Sequence, residues 1–287
     1  MPELPEVETV RRTLEPHLTG KTIEAFELRW HRTLQLPDLA RFSAAVVGRT
    51  IVTVDRRGKL VVLRLDDEST ITIHLRMTGE LLFVADRNTE LDERREAYLR
   101  AIFALSGNST LLFYDTRKFG KIAWHPNDPI FAFDRKIGIE PLSDDFTVEA
   151  LAGSLHGRQR QLKPLLLDQA VIAGLGNIYV DEALFRARLH PLSTASALTQ
   201  ANIIALHEAI VTLLTRAVES RGTTLRDYRS GLGDEGGYQR SLRVYGSPPG
   251  SPCPECGTPL ERLVIGQRGS IFCPNCQPRV TSDRQSQ

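Results

Sequence analysis

The sequence lacks the long apolar segments that mark membrane or exported proteins. No uninterrupted apolar run reaches the roughly 18 residues that a membrane span needs. Charged residues follow the first methionine almost at once, which leaves no signal-peptide core. We therefore expect a soluble, cytoplasmic protein. Its 287 residues, 41% of them hydrophobic, are enough for two domains.

Net charge is nearly absent, because 36 basic side chains oppose 35 acidic ones and leave a formal charge of +1. A near-neutral chain neither requires nor excludes a nucleic-acid partner. If DNA is the partner, the positive charge must be gathered on one face. Internal repeats and low-complexity tracts are lacking as well.

Cysteine is scarce: the chain has 4, all between positions 253 and 276. Scattered pairs would indicate secreted disulfides, whereas CxxC, 16 residues and CxxC is the spacing of a zinc ribbon. Four thiolates complete a tetrahedral site, so we expect one structural Zn²⁺. Its ligands would be Cys253, Cys256, Cys273 and Cys276. Reduced free thiols or disulfides are the alternative.

The hydrophobic pattern predicts an α+β protein. Apolar residues recur at helical spacing over 5–18, and Gly20 ends that segment. From about 22 to 125 the pattern is typical of β-strands, so we expect a β-sandwich with a helix at its front edge. The predicted strands are 60–65, 70–77, 80–85, 98–105 and 110–115, with hairpin turns at 66–69 and 106–109.

Beyond a turn-rich stretch the pattern becomes helical. The predicted helices are 148–156, 161–174, 177–188 and 199–220, and the glycine-rich stretch 229–239 indicates a mobile loop. In the ribbon, strands 260–265 and 270–272 would place Arg268 at the tip of a hairpin. The expected domains are 1–137, a linker 138–146, a helical domain 147–245, and the ribbon with a tail 246–287.

Two internal motifs have both a functional and a plain interpretation. In GLGNIY, a glycine turn precedes Asn177 at a helix start, where free N–H groups could bind an anion. An ordinary turn with an Asn cap explains the same residues. In DTRKFG, Arg117 and Phe119 share strand parity and could enter a DNA groove together. A strand end with a core phenylalanine is the alternative.

The opening MPELPE suggests an N-terminal nucleophile. A small second residue usually permits removal of the first methionine, which would give Pro2 a free secondary amine. Such amines titrate near roughly 8 and are partly nucleophilic at neutral pH. Glu3 and Glu6 lie close enough in sequence to act as acid or to orient the amine. Proline and glutamate are also simply favoured in the first turn of a helix.

Eight motifs occur in one order: PELPEVET, RRGKL, HLRMTG, DTRKFG, EPLSDDF, GLGNIY, TTLRDY and the ribbon. From Pro2 to Cys276 the chain thereby resembles bacterial formamidopyrimidine-DNA glycosylase. The resemblance implies a helix on a β-sandwich, a helical domain with a helix–two-turn–helix motif, and the ribbon. It implies excision of 8-oxoguanine and formamidopyrimidines from duplex DNA in base excision repair, followed by β,δ-elimination at the abasic site.

The resemblance also assigns catalytic roles. Pro2 would attack the anomeric carbon and form a Schiff base, Glu3 would protonate the sugar ring, and Glu6 would support the terminal amine. Lys59 would assist β-elimination, and Arg268 would assist δ-elimination and bind phosphate.

DNA contacts are implied as well. The corresponding positions are Met77, Tyr98, Arg117, Phe119, Arg158, Lys163 and Asn177. Strand alternation alone places Met77 on the core face, whereas the family position requires it to fill the space left by an extruded base. Since Gly79 follows closely, we expect the strand to end near Met77. Tyr98 replaces a histidine found in many members.

Two alternatives come from related or different classes. Endonuclease VIII enzymes, which act on oxidised pyrimidines, tend to begin with PEGPE. The PELPE of this chain therefore favours oxidised purines as the substrate. A non-catalytic zinc-ribbon protein that binds nucleic acid is the other alternative. The expected partner is double-stranded DNA with oxidised purines or abasic sites. We expect the protein to act as a monomer and not to bind a membrane.

Overall fold

The computed structural model describes residues 1–90, 93–127 and 136–281. The chain divides into two compact units. Unit 1 comprises Met1–Arg135 and Val218–Gln239, and unit 2 comprises Lys136–Ala217 and Arg240–Gln287. The end of the tail expected in the ribbon domain, 282–287, lies outside the described residues.

Unit 1 opens with helix α1, Leu4–Leu18, which confirms the helix predicted over 5–18. Its apolar positions Leu4, Val7, Val10 and Leu14 are fully buried, as the helical spacing requires. Each such burial stabilises the fold by roughly 1.5–3 kcal/mol. The helix ends before Gly20, whose φ of +81° suits glycine.

Strands of unit 1 form two sheets. Their bounds are Ile23–Leu28 (β1), Leu34–Leu36 (β2), Ile51–Arg57 (β3), Leu60–Leu65 (β4), Thr70–His74 (β5), Gly79–Val84 (β6), Leu99–Leu105 (β7), Ser109–Asp115 (β8) and Lys121–His125 (β9). One sheet has the order β1-β7-β8-β6 and the other β2-β9-β5-β4-β3. Apolar residues of α1 and of both sheets share one buried core, which confirms the predicted sandwich with its helix. Two short helices, Leu39–Val46 (α2) and Glu93–Glu96 (α3), complete this part of the unit.

The strand predicted over 70–77 is too long, because β5 ends at His74. The N–H of Gly79 donates to the carbonyl of Leu75 at 2.8 Å, and Arg76 adopts a φ of +56°. A Cβ at Gly79 would lie 2.3 Å from the Leu75 carbonyl oxygen, so only glycine fits this turn. Met77 therefore lies on a turn and is 39% exposed, which resolves its conflict with strand alternation.

The glycine-rich stretch 229–239 is tied to the rest of unit 1. The N–H of Gly231 donates to Thr13 Oγ1 at 2.9 Å, and its carbonyl accepts from the N–H of Phe83 at 3.0 Å. A Cβ at Gly231 would lie 2.5 Å from Leu14 Cγ. Gly231 therefore allows the stretch to pack closely against α1. Composition alone indicates a mobile loop for 229–239, but these contacts hold it against the helix.

Helices dominate the first part of unit 2. Their bounds are Val148–Leu155 (α4), Leu162–Leu166 (α5), Asn177–Arg186 (α6) and Gln200–Glu219 (α7), the last of which ends in unit 1. The prediction of a helix over 161–174 is wrong beyond Leu166, because side chains there accept hydrogen bonds from backbone N–H groups and so stabilise turns instead of a helix. Gln169 Oε1 accepts from the N–H of Gly174 at 3.0 Å, and Asp168 Oδ1 accepts from the N–H of Ala170 at 3.1 Å.

Among the described residues, α7 alone has the length and composition that could cross a membrane. Leu206, Ile210, Leu213 and Leu214 on this helix are fully buried in the folded chain. This burial is what a core helix of a folded protein shows, so the length of α7 is weak evidence for a membrane span.

The ribbon hairpin consists of Glu261–Ile265 (β10) and Arg268–Phe272 (β11). Its turn has two residues, Gly266 and Gln267, with φ of 55° and 63°. Two successive positive φ values are typical of the tight turns that match strand twist. Arg268 therefore begins β11 and pairs with Ile265, one position inside the tip expected from sequence.

Candidate functional site

The start of α1 places two carboxylates in a buried setting. Pro2 is buried directly before the helix, and Glu3 and Glu6 are 2% and 1% exposed. Glu6 Oε2 accepts from the N–H of Glu3 at 2.8 Å, and Glu6 Oε1 accepts from the N–H of Thr223 at 2.7 Å. The returning segment of unit 1 thus fixes Glu6, and the helix cap fixes Glu3 beside Pro2.

Tyr228 completes this contact and was not foreseen as a site residue. Its hydroxyl donates to the carbonyl of Glu6 at 3.2 Å. Burial raises the pKa of Tyr228 well above its ordinary value, and the Glu6 charge adds to the effect. The phenol therefore stays a neutral donor at physiological pH. The only sequence signal for it was its place in the motif TTLRDY.

Lys59 lies in the turn between β3 and β4 and is 8% exposed. Arg56 supports this turn, because its Nη1 donates to the carbonyl of Gly58 at 3.0 Å and its Nε donates to Glu8 Oε2 at 3.1 Å. Burial alone would raise the pKa of Glu8, but hydrogen bonds from neighbouring arginines hold it below its ordinary value. The Glu8–Arg56 pair thereby connects α1 to the turn that carries Lys59.

His74 pairs with Leu60, next to Lys59, and is a neutral imidazole. Burial, followed by the charges of Arg76 and Lys59, lowers the pKa of His74 to about 3. Its Nδ1 accepts from the N–H of Arg76 at 3.0 Å, which helps to form the turn that presents Met77.

Arg117 and Phe119 follow β8 and are exposed, Phe119 by 49%. The guanidinium carbon of Arg117 lies 5.0 Å from the Phe119 ring centroid. The core alternative for Phe119 is therefore wrong. Buried Asp115 organises this loop, since its carboxylate accepts from the N–H of Arg117 at 3.1 Å and of Gly120 at 2.7 Å.

Asp115 also joins this loop to the Met77 turn. Its Oδ1 accepts from the hydroxyl of Thr78, the residue after Met77, and the N–H of Arg117 donates to that hydroxyl at 3.1 Å. Unit 1 thus brings Met77, Arg117 and Phe119 onto two linked turns. Asp115 was not among the expected site residues, although it opens the motif DTRKFG.

Tyr98 is 43% exposed and lines a cavity of about 380 Å³ in unit 1. Other lining residues include Thr78, Glu80, Arg95 and Arg229. Arg95 forms an ion pair with Glu80 at 2.7 Å. The cavity has both charged and aromatic lining residues and adjoins the Met77 turn through Thr78.

Asn177 begins α6 in unit 2, as the motif GLGNIY predicted. Its Nδ2 donates to the carbonyl of Gly269 at 3.0 Å, whereas its buried Oδ1 has no hydrogen-bond partner among the described residues. A cavity of about 310 Å³ adjoins it, lined also by Tyr245, Arg262 and Gly269. Asn177 thus connects a helix start to the ribbon hairpin.

The basic residues of unit 2 differ in accessibility. Arg158, after α4, and Arg268, on β11, are exposed, and the described residues give neither guanidinium a hydrogen bond or ion pair. Lys163 is 0% exposed, with its Nζ 2.7 Å from Asp181 Oδ1. In this conformation the Lys163 ammonium is enclosed, so the phosphate contact expected for it is not open to the side chain.

The four cysteines converge in the ribbon, with all sulfur atoms within 4.8 Å of one another. Cys253 and Cys276 Sγ lie 3.9 Å apart, and Cys256 and Cys273 Sγ lie 3.6 Å apart. A tetrahedral zinc with Zn–S bonds of about 2.3 Å requires sulfur separations of about 3.8 Å, so the donor set fits zinc. Four thiolates leave no position for water or substrate, which makes this zinc structural.

Comparison with known proteins agrees with the fold and the site. The formamidopyrimidine-DNA glycosylase N-terminal domain matches residues 1–122, and the formamidopyrimidine-DNA glycosylase H2TH domain matches residues 137–229. The zinc finger found in FPG and IleRS matches residues 250–279. These matches cover most of the chain, including the start of α1 and the ribbon.

Full-length relatives are similar as well. A formamidopyrimidine-DNA glycosylase of Herpetosiphon aurantiacus is 44% identical over 278 residues, 96% of this chain and 100% of that protein. A Lactococcus lactis FPG mutant in complex with a Fapy-dG containing DNA has a TM-score of 0.88 at 34% identity, covering 97% of this chain and 100% of that one. The Lactococcus lactis Fpg with an abasic site containing DNA has a TM-score of 0.87 at 33% identity, covering 96% and 100%.

The chain therefore belongs to the formamidopyrimidine-DNA glycosylase family. It is a DNA glycosylase for oxidised purines in base excision repair, and its ribbon holds one structural zinc.

Proposed function

We propose that the chain excises oxidised purines through a covalent bond between the Pro2 nitrogen and deoxyribose. While Met1 is attached, that nitrogen belongs to a peptide bond and is not nucleophilic, so removal of Met1 comes first. The observation that carries the proposal is the buried pair of carboxylates, Glu3 and Glu6, held at the helix start beside Pro2. General acid catalysis needs such a positioned carboxyl.

The proposed reaction begins when the Pro2 amine bonds to C1′ and the N-glycosidic bond breaks, with the base leaving as it gains a proton. Glu3 protonates the ring oxygen, which opens the sugar and gives an iminium ion. The iminium acidifies C2′–H, so loss of that proton expels the 3′ phosphate, and a further proton loss at C4′ expels the 5′ phosphate. Water then hydrolyses the iminium and restores the amine.

Lys59 and Arg268 have proposed roles in the elimination steps. Lys59 is held on the β3–β4 turn by Arg56 and would assist the first phosphate loss. Arg268 is an exposed guanidinium without an ion pair among the described residues, which suits phosphate binding during the second loss. Asn177 would bind a neighbouring phosphate through its side-chain amide and the N-terminus of α6. Arg158 would bind another through its exposed guanidinium.

The proposed partner is duplex DNA with oxidised purines or abasic sites, since both DNA types occur in the complexes of the Lactococcus lactis enzyme. Extrusion of a base costs a few kcal/mol and leaves a space in the stack. Met77 and Phe119 are exposed apolar side chains that could fill it, and the neighbouring Arg117 could contact the orphaned base. Tyr98 would contact the DNA backbone from the cavity that it lines.

We further propose that the enzyme acts in the cytoplasm as a monomer. We also propose the domains 1–137, 147–245 and 246–287, with a linker at 138–146; within the second of these, residues 218–239 return to unit 1. The sandwich would supply the nucleophile and the acids, and the helical domain and ribbon would supply phosphate contacts.

Borohydride trapping tests the Pro2 mechanism. The processed protein should form a covalent adduct with 8-oxoguanine duplex after reduction, and the adduct should map to Pro2. A chain that retains Met1 has no free amine at Pro2 and should trap at least about 10³-fold more slowly, as expected for loss of a nucleophile. Pro2→Gly keeps a free but primary amine in place of the secondary one and should also trap far less. Equal trapping by the Met1-retaining chain would reject the proposal and leave a zinc-ribbon protein that binds nucleic acid.

The purine preference has a separate test. Single-turnover rates on 8-oxoguanine opposite cytosine should exceed those on thymine glycol opposite adenine. Similar rates would instead support an endonuclease VIII-like range of oxidised pyrimidines, whatever the outcome of the trapping experiment.

A further inference from the structure

Unit 2 contains a buried ionic network that the proposed chemistry does not use. Lys163 on α5 is 0% exposed and Asp181 on α6 is 2% exposed. Lys163 Nζ donates to Asp181 Oδ1 at 2.7 Å, and the hydroxyl of Ser270 donates to the same oxygen at 2.8 Å. A buried charge is tolerated only when it is paired and hydrogen-bonded, as both charges are here.

The network ends at one carbonyl of the ribbon hairpin. Lys163 Nζ donates to the Gly269 carbonyl at 3.0 Å, and Asn177 Nδ2 donates to the same oxygen at 3.0 Å. Gly269 directly follows Arg268 in β11, and Ser270 is bonded to Asp181. Helices α5 and α6 therefore hold the two residues that follow Arg268.

Lys163 differs in this respect from the exposed guanidiniums of Arg158 and Arg268. To reach a phosphate, its ammonium would have to leave both Asp181 and the Gly269 carbonyl. That movement would strand a buried carboxylate without its partner, which is strongly destabilising. The observed bonds favour a role for Lys163 within the protein.

We propose that Lys163 and Asp181 are positioning residues that fix β11 on α5 and α6, so that Arg268 and Asn177 present their groups to one phosphate. The inference rests on the proposed phosphate role of these two residues. It replaces a direct contact between Lys163 and DNA with an indirect effect through the Gly269 carbonyl.

A double-mutant cycle separates the two roles. The paired variant Lys163→Met with Asp181→Leu removes both buried charges together, so no unpaired charge is left in the core. Its affinity for a duplex with a tetrahydrofuran abasic analogue should fall about tenfold, the scale of a small misplacement of binding groups. Arg268→Ala should weaken binding similarly, and the triple variant should bind no more than about twofold worse than Arg268→Ala.

Controls address charge, folding and zinc. Lys136→Met removes one exposed positive charge from unit 2 and should leave affinity unchanged. Zinc content and thermal unfolding are measured for every variant. If the paired variant loses zinc or unfolds, the cycle is run with Asp181→Asn, which keeps the side-chain size and should show a smaller, about threefold loss with the same non-additivity.

Two results would overturn the positioning role alone. One is an additive loss in the triple variant, which would mean that Lys163 contacts DNA independently of Arg268. The other is unchanged affinity in the paired variant. A third result, wild-type binding and elimination by Arg268→Ala, would overturn the phosphate role of Arg268 and the positioning role with it. That result is read from the Arg268→Ala arm alone.

Discussion

Buried carboxylates lie at the start of α1 and where α6 contacts the ribbon hairpin, but the two groups are assembled differently. In unit 1, Glu3 and Glu6 lie 3 positions apart, and a helix cap sets their geometry. In unit 2, the Gly269 carbonyl meets a lysine 106 positions away and an asparagine 92 positions away. Local helix geometry sets the spacing of Glu3 and Glu6, and one distant donor, the N–H of Thr223, 217 positions from Glu6, completes that group. Only tertiary packing builds the second group.

The two groups also satisfy their carboxylates differently. Glu6 accepts from backbone N–H groups, whose positions the main chain fixes. Asp181 accepts from the side chains of Lys163 and Ser270 at 2.7 and 2.8 Å and, over a longer 3.4 Å, from the N–H of Ile271. Burial raises its pKa to about 6 despite these hydrogen bonds. A group held by backbone donors should resist changes elsewhere, whereas the side-chain network should fail when one partner is lost.

The largest expected effect comes from the zinc site. Cys256→Ser should release zinc, because a structural site supplies much of the folding energy of a small ribbon. DNA affinity should fall by about 100-fold or more. Both tryptophans, Trp30 and Trp124, lie in unit 1, so their fluorescence reports on that unit alone. We expect the tryptophan fluorescence to stay unchanged while the affinity for DNA is lost. Retained DNA affinity after loss of zinc would show that the ribbon is not needed for DNA binding.

Glu6→Gln should have the next largest effect. The amide can accept from only one of the two N–H groups that Glu6 now accepts, so a buried donor faces an NH₂ group. The expected loss is about 2–3 kcal/mol in the free energy of unfolding. Urea unfolding measures it, with Glu15→Gln on the same helix as control, since Glu15 is 48% exposed and should change stability by under about 0.5 kcal/mol. Equal losses would refute the assigned role of Glu6.

The two units should respond to pH with opposite signs. The folded-state pKa of His74, about 3, lies below its ordinary 6.5, so its stabilisation is complete above pH 6.5 and is lost on acidification. The folded-state pKa of Asp181, about 6, lies above its ordinary 3.8, so its contribution is greatest below pH 3.8 and falls as pH rises to 6.

Urea unfolding between pH 4 and 7 measures this difference. His74→Asn should reduce the loss of stability on acidification, and Asp181→Asn should increase it. If both variants changed the loss of stability on acidification in the same direction, the pKa values of His74 and Asp181 would not be shifted in opposite directions.

The smallest effects are expected from a pair of glycines. Gly231→Ala would place Cβ 2.5 Å from Leu14 Cγ and should destabilise by about 1–2 kcal/mol. Gly153→Ala, inside α4 with no atom near its Cβ, should stabilise by about 0.5 kcal/mol. Thermal unfolding compares them, and equal changes would show that packing against α1 does not explain Gly231.

Sequence patterns predicted the local features well. The helix α1, most strands of the sandwich and the zinc ligands follow from periodicity and spacing, which depend on near neighbours in the chain. The predictions of element ends failed where the apolar periodicity continued past a turn that ends the strand or helix. Met77 continued a strand pattern until Gly79 closed a turn, and 161–174 continued a helical pattern until Asp168 and Gln169 captured the backbone.

The sequence by itself determined the order of motifs, the tetrahedral thiolate set and the neighbouring placement of Pro2, Glu3 and Glu6, since each depends on spacing of a few residues. Only the tertiary structure decided that Lys163 is enclosed and that Arg268 lies beside an anchored carbonyl. The reason is physical: burial and pairing of a charge depend on which distant segments pack around it, and no local pattern of residues contains that information.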